Sequence, residues 1–120
     1  MGKATVAGSY IGTHIIEASV SNNNIQSGDD SAGNIFSVFI DNSSNDEAMY
    51  LKLFENASPT LGTTDPGFLF SVGPASTIQY DFPTGIAYST ALSFAVVKEN
   101  LDSGTTGPDS AVIVRITIST

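Results

Sequence analysis

The stretch Ala111-Val-Ile-Val-Arg-Ile-Thr-Ile118 decides the fold. Val112, Val114, Ile116 and Ile118 point one way and Arg115 and Thr117 the other, the two-residue period of a strand with one buried face. Working outward, the same alternation returns at Ser76–Phe82, with Ile78, Tyr80 and Phe82 inward and Thr77, Gln79 and Asp81 outward. Phe68, Phe70 and Val72 form a shorter version; Leu92, Phe94 and Val96 another; Leu51 and Leu53 flank Lys52; Phe36, Val38 and Ile40 alternate within 34–41. A weaker run, 13–20, is rich in β-branched residues. Seven strands are thus predicted, at 13–20, 34–41, 48–55, 68–72, 76–82, 91–98 and 111–118.

Every gap between them carries turn chemistry: Asn22-Asn-Asn, Ser27-Gly-Asp-Asp-Ser, Asp41-Asn-Ser-Ser-Asn-Asp, Gly73-Pro74 and Pro83-Thr-Gly85. No window has helical period. Short strands at this spacing, each with a polar face, predict an all-β chain: an antiparallel β-sandwich, jelly-roll-like. Residues 1–12 read as an extended N-terminal arm and residues 13–120 as the sandwich domain.

At 120 residues the chain is long enough for one domain with its own core. It has no Cys, so neither a disulfide framework nor a thiolate metal site is available. Charged residues are only 13%, and 16 Ser with 12 Thr make the surface neutral-polar instead. The net charge of −8, from four basic and twelve acidic residues, argues against nucleic acid and against an anionic membrane surface as partners. No apolar run is long enough to span a bilayer, and the first twelve residues lack the apolar core of a signal peptide.

The inventory for chemistry is thin. His14 is the only His, with no G-x-S-x-G elbow anywhere, so it reads as a strand or surface residue. One His is too few for a His-based metal site. Asp29-Asp30 with Asn34, or Asp41 with Asp46 and Glu47, offer oxygen ligands, but neither follows calcium-loop spacing. There is no Trp to form a sugar platform and no glycine-rich phosphate loop. Asn42-Ser-Ser44 and Asn56-Ala-Ser58 match the N-glycosylation pattern, a common coincidence in Ser-rich chains. Gly62-Thr-Thr-Asp-Pro66 is echoed at Gly104-Thr-Thr-Gly-Pro108, with no longer repeat around it. No catalytic, cofactor-binding or metal-ligating residue is assigned, and the chain is expected not to be an enzyme.

What stands out is apolar residues on the polar register. Ile35 and Phe39 in 34–41, Val97 in 91–98 and Ile113 in 111–118 all fall on the outward face. Either a loop or second layer covers them, or they mark a protein–protein contact. In the arm, Val6, Tyr10 and Ile11 sit among Gly, Ser and Thr and cannot build a core of their own, so they are expected to order by binding. These seven residues form the expected partner-binding set.

Two segments carry a resemblance: Tyr50-Leu-Lys-Leu-Phe-Glu-Asn-Ala-Ser-Pro-Thr-Leu-Gly-Thr-Thr-Asp-Pro66 and Phe82-Pro-Thr-Gly-Ile-Ala-Tyr-Ser-Thr-Ala-Leu-Ser-Phe-Ala-Val-Val97. They are similar to loop and core motifs of small β-rich structural proteins of tailed bacteriophages. The likeness covers about residues 34–118, not the arm, and departs at Ala91, where Gly is common. The group is similar to head decoration (cement) proteins, which trimerise on the outer capsid surface. The resemblance therefore implies a non-enzymatic virion protein that binds the major capsid protein, self-associates as a homotrimer and stabilises the head. The alternative it leaves is a receptor- or glycan-binding module of a tail or fibre, recognising its ligand through loops 56–67 and 99–110.

Overall fold

A computed structural model describes residues 13–119 of the chain. The described residues form eight strands and no helix: β1 (Thr13–Val20), β2 (Gln26–Asp29), β3 (Gly33–Asp41), β4 (Met49–Phe54), β5 (Phe68–Val72), β6 (Thr77–Tyr88), β7 (Leu92–Val97) and β8 (Val112–Ser119). Two four-stranded sheets result, with orders β1-β8-β3-β6 and β2-β7-β4-β5. β1 pairs with β8, β2 with β7, β3 with β6 and β4 with β5, all antiparallel. That nesting is one long hairpin, its tip at the β4–β5 connection, wrapped so that its two halves alternate between sheets. It is the jelly-roll order of an antiparallel β-sandwich.

Between the sheets lies one core. Val112, Val114, Ile116 and Ile118 enter it from β8, Val38 and Ile40 from β3, Met49, Leu51 and Leu53 from β4, and Leu92, Phe94 and Val96 from β7. The alternation that predicts the strands also predicts these inward sets. Polar ties then fix how the layers sit. The Tyr88 hydroxyl on β6 donates to Asp29 Oδ2 on β2 at 2.7 Å, joining one sheet to the other. Burial and the neighbouring Asp29 carboxylate push the Tyr88 phenol above its ordinary pKa.

At one end, three loops converge on two buried asparagines. Asn42 Nδ2 donates to the carbonyls of Glu47 and Gly73, and Asn45 Nδ2 to Asn42 Oδ1 and the Ser110 carbonyl. Asn45 Oδ1 accepts from the Ser110 amide. A short Asx-rich stretch that reads as a turn is therefore a buried clasp, satisfied on nearly every side.

Four features differ from the sequence reading. β2 is an eighth strand, polar and at a sheet edge, in a stretch that reads as turn chemistry; its backbone pairing with β7, not an apolar face, makes it a strand. β6 runs on through Pro83-Thr-Gly85 to Tyr88, the ladder to β3 shifting register there while Gly85 adopts φ 79°. Pro is tolerated because β6 is an edge strand at an irregularity.

The other two concern the expected outward residues. Ile35 is 1% exposed and belongs to the core. On β8, Ile118 and Thr117 are consecutive, yet their β3 partners are Ile35 and Ser37, so Phe36 is the extra residue of a β-bulge. The bulge inverts the alternation upstream of it: Ile35 turns inward, while Phe36, itself only 3% exposed, packs its ring against Gly85. Val97 is 0% exposed because loops roof the outer face of its sheet.

Candidate partner-binding surfaces

The two sheets treat their outer faces differently. On β2-β7-β4-β5, every residue of β7 is buried, as are Lys52 and Phe54 of β4. The segments after β4 and after β7 cover this face. Lys52 Nζ donates to the carbonyls of Asp102 at 2.7 Å and Gly104 at 2.8 Å, and Ser93 Oγ donates to the Asn56 carbonyl at 2.6 Å. Burial lowers the Lys52 pKa, opposed by the nearby Asp102 and Glu99 charges. Gly62, at φ 86°, lies against Thr105: a Cβ there would stand 2.7 Å from the Thr105 methyl. The two Gly-Thr-Thr echoes thus meet in space, and loops 56–67 and 99–110 make one joint surface.

Among the described residues, no segment roofs the outer face of β1-β8-β3-β6 in this way. Register builds rows across it: Ile15–Thr117–Ser37–Asp81, Glu17–Arg115–Phe39–Gln79 and Ser19–Ile113–Asp41–Thr77. Ile15 is 61% exposed, while Phe39 and Ile113 are half-buried among polar neighbours. Arg115 pairs with Glu17 and lies over the Phe39 ring, 5.2 Å from its centroid. Phe39 and Ile113 therefore occupy the outward register the sequence predicts. Val6, Tyr10 and Ile11 lie outside the described residues.

A third surface was not evident from periodicity. β5 ends one sheet and β6 the other, so two edge strands lie side by side along one flank. Phe68, Phe70, Tyr80 and Phe82, all half-buried, form the seam between them. Phe70 stands 5.0 Å from the Tyr80 ring and 5.9 Å from Phe82, and the Tyr80 hydroxyl donates to the Ser71 carbonyl across the gap. Ile78, beside them on β6, is 37% exposed. The inward register of these residues is predicted by their alternation; that both strands bordering the flank are sheet edges among the described residues is a consequence of strand order.

The cations of the described residues are all engaged. Lys52 is internal, Lys98 sits between Glu47 and Asp109, and Arg115 pairs with Glu17. The candidate calcium ligands are dispersed among other duties. Asp29 accepts from Tyr88, the Ser43 hydroxyl and then its amide hold Asp41 below its usual carboxylate pKa, and Glu47 pairs with Lys98. Among the described residues no three His, Asp or Glu side chains gather as a metal site. His14 lies on β1 opposite Ile118. Asn42, in the first glycosylation pattern, is 0% exposed with its amide nitrogen donating twice; Asn56, in the second, is exposed. No protein-family model matches the chain, and no curated protein matches it.

Proposed function

We propose that this chain is a non-enzymatic virion structural protein, a decoration protein that binds the major capsid protein on the outer surface of a phage head and self-associates as a homotrimer. The observation that carries the reading is the contrast between the two outer faces. One is sealed by its own loops; the other is a four-stranded sheet that no other described segment roofs, with Ile15, Phe39 and Ile113 set among Ser, Thr and Gln, the carboxylates of Asp41 and Asp81, and the Glu17–Arg115 pair. A sheet face of this kind, apolar residues within a polar frame, suits a broad contact with a shell. The resemblance of residues 34–118 to tailed-phage structural proteins supports the same role, and the jelly roll is a fold that viral coat components use among many others.

The mechanism is adhesive. Each copy spans a seam between shell subunits, and an interface of about 1,500 Å² per copy is ordinary for specific binding. Repetition over the shell multiplies modest contacts. A receptor- or glycan-binding role in a tail or fibre is the second reading, favoured by the meeting of loops 56–67 and 99–110 at Gly62 and Thr105. Copy number per virion separates the two: hundreds by gel densitometry support decoration, and a handful supports the tail. Phe39→Glu should abolish co-sedimentation with undecorated heads; retained binding would remove the sheet face from the mechanism.

A further inference from the structure

We propose that the open aromatic seam between β5 and β6 receives the N-terminal arm, residues 1–12, of a second copy of this chain. The inference deepens the self-association in the function proposed above and rests on that part of it, not on the capsid.

Three observations converge. First, the seam is incomplete: four aromatic side chains are only half-buried between two edge strands, with Ile78 exposed beside them. An extended segment can add to such an edge by backbone pairing while placing alternate side chains between the sheets. Second, the arm has the matching chemistry. It carries Val6, Tyr10 and Ile11 and no carboxylate. Residues 13–120 hold a net charge of −9, one more negative than the whole chain's −8 because Lys3 lies in the arm. Lys52, Lys98 and Arg115 are all committed within the body, so Lys3 is the cation left to meet that anionic surface.

Third, reach keeps the part of the arm nearest the body, with two of its three apolar anchors, away from the seam of its own copy. Thr13, where β1 begins, shares a register row with Ser119, Asn34 and Ala87. β1 and β6 are the opposite edges of their sheet, three strand spacings apart, which is about 14 Å. Tyr10 is three residues from Thr13, and three residues span at most about 11 Å. Tyr10 and Ile11 therefore cannot lie along β6 of their own copy. Arm-into-seam contact is head-to-tail, the kind that closes into a ring when the rotation allows.

The absence of Cys makes the test direct. Full-length Tyr10→Cys is mixed with full-length Ile78→Cys under mild oxidation, with Leu101→Cys as the control partner, since Leu101 is 60% exposed on the loop over the other sheet. Circular dichroism checks each variant's fold, and Phe82→Cys replaces Ile78→Cys should the latter misfold. The expected result is a disulfide-linked heterodimer at Ile78 at least about tenfold over the control, because docking raises the effective thiol concentration. Equal yields at both positions would overturn the proposal, as would wild-type chain that sediments as a monomer at its highest attainable concentration. Binding to heads is assayed separately. Cross-linking without head binding removes the capsid role and leaves the arm exchange standing; head binding without cross-linking does the reverse.

Discussion

The Lys52 ammonium donates to the Gly104 carbonyl oxygen at 2.8 Å while having no exposed surface of its own. A central β4 residue thereby pins the segment after β7 over the outer face of the sheet. The same ammonium holds the Asp102 carbonyl, and the loop is closed further by the Thr106 amide donating to Glu99 Oε1 and the Lys98 amide donating to the Thr106 carbonyl. Lys52 acts here as a hub for backbone acceptors and not as one half of an ion pair.

Lys52→Met should keep the volume and remove the donor. The buried Gly104 carbonyl then lacks its partner, a loss of about 1–3 kcal/mol, partly offset because a buried ammonium is gone. A net destabilisation of about 1–2 kcal/mol in urea titration is expected. Amide exchange should accelerate at Gly104 and Thr106 more than at Leu53. The pH dependence carries a sign. The folded-state pKa of Lys52 lies below its unfolded value of 10.5, so the unfolded chain binds more protons as pH rises toward 10.5. Wild-type stability should gain on Lys52→Met over that window; a constant difference would show that the ammonium is not desolvated.

Tyr88 gives the opposite alkaline trend. Its folded pKa is raised, so its contribution is complete below the unfolded value of 10 and is lost as pH climbs beyond it. Tyr88→Phe should lower stability at pH 7 by about 1.5–3 kcal/mol, the range for a hydrogen bond to a charged group. The variant should also lose stability less steeply above pH 10. Melting temperatures at pH 7, 9 and 11 check both expectations.

On the acid side, Asp41 and Glu99 are held below their ordinary pKa values by hydrogen bonds from Ser43 and Thr106 respectively. Their stabilisation is complete above about the unfolded carboxylate values near 4 and disappears as pH falls through the depressed folded ones. Both side chains are partly exposed and screened by solvent, so the effect is small. Glu99→Gln should flatten the part of the melting curve that falls below pH 4.5, leaving pH 7 nearly unchanged.

The asparagine clasp predicts a sharp contrast between neighbours. Asn45→Ala removes two donated bonds and one accepted bond in a site 4% exposed. Unsatisfied buried groups of this kind destabilise by about 2–4 kcal/mol together. Ser44→Ala, one residue away and exposed, should stay within about 0.5 kcal/mol of wild type. Equal effects would mean that the loop convergence does not hold the end of the sandwich.

How much of this was legible in the chain depends on the range of the interaction. The β-sandwich and most of its inward residues follow from alternation, because which face a strand residue takes is a local, two-residue property. Val112, Val114, Ile116 and Ile118 needed nothing beyond their spacing. Phe39 and Ile113 likewise sit on the face their register predicts. Three other outcomes required the tertiary structure. Ile35 turned inward because a bulge at Phe36 is set by how β3 meets β8, and parity cannot be carried past an extra residue. β2 is a strand only because β7 supplies its partners. Val97 and Lys52 are buried because the loops after β4 and after β7, far apart in the chain, close over one face, with the hydrogen bond from Lys52 to Asp102 reaching across 50 positions. The strand order itself, and with it the open seam of Phe70, Tyr80 and Phe82, is fixed by which edges are left over after four nested pairings, a global property that no local window of sequence encodes.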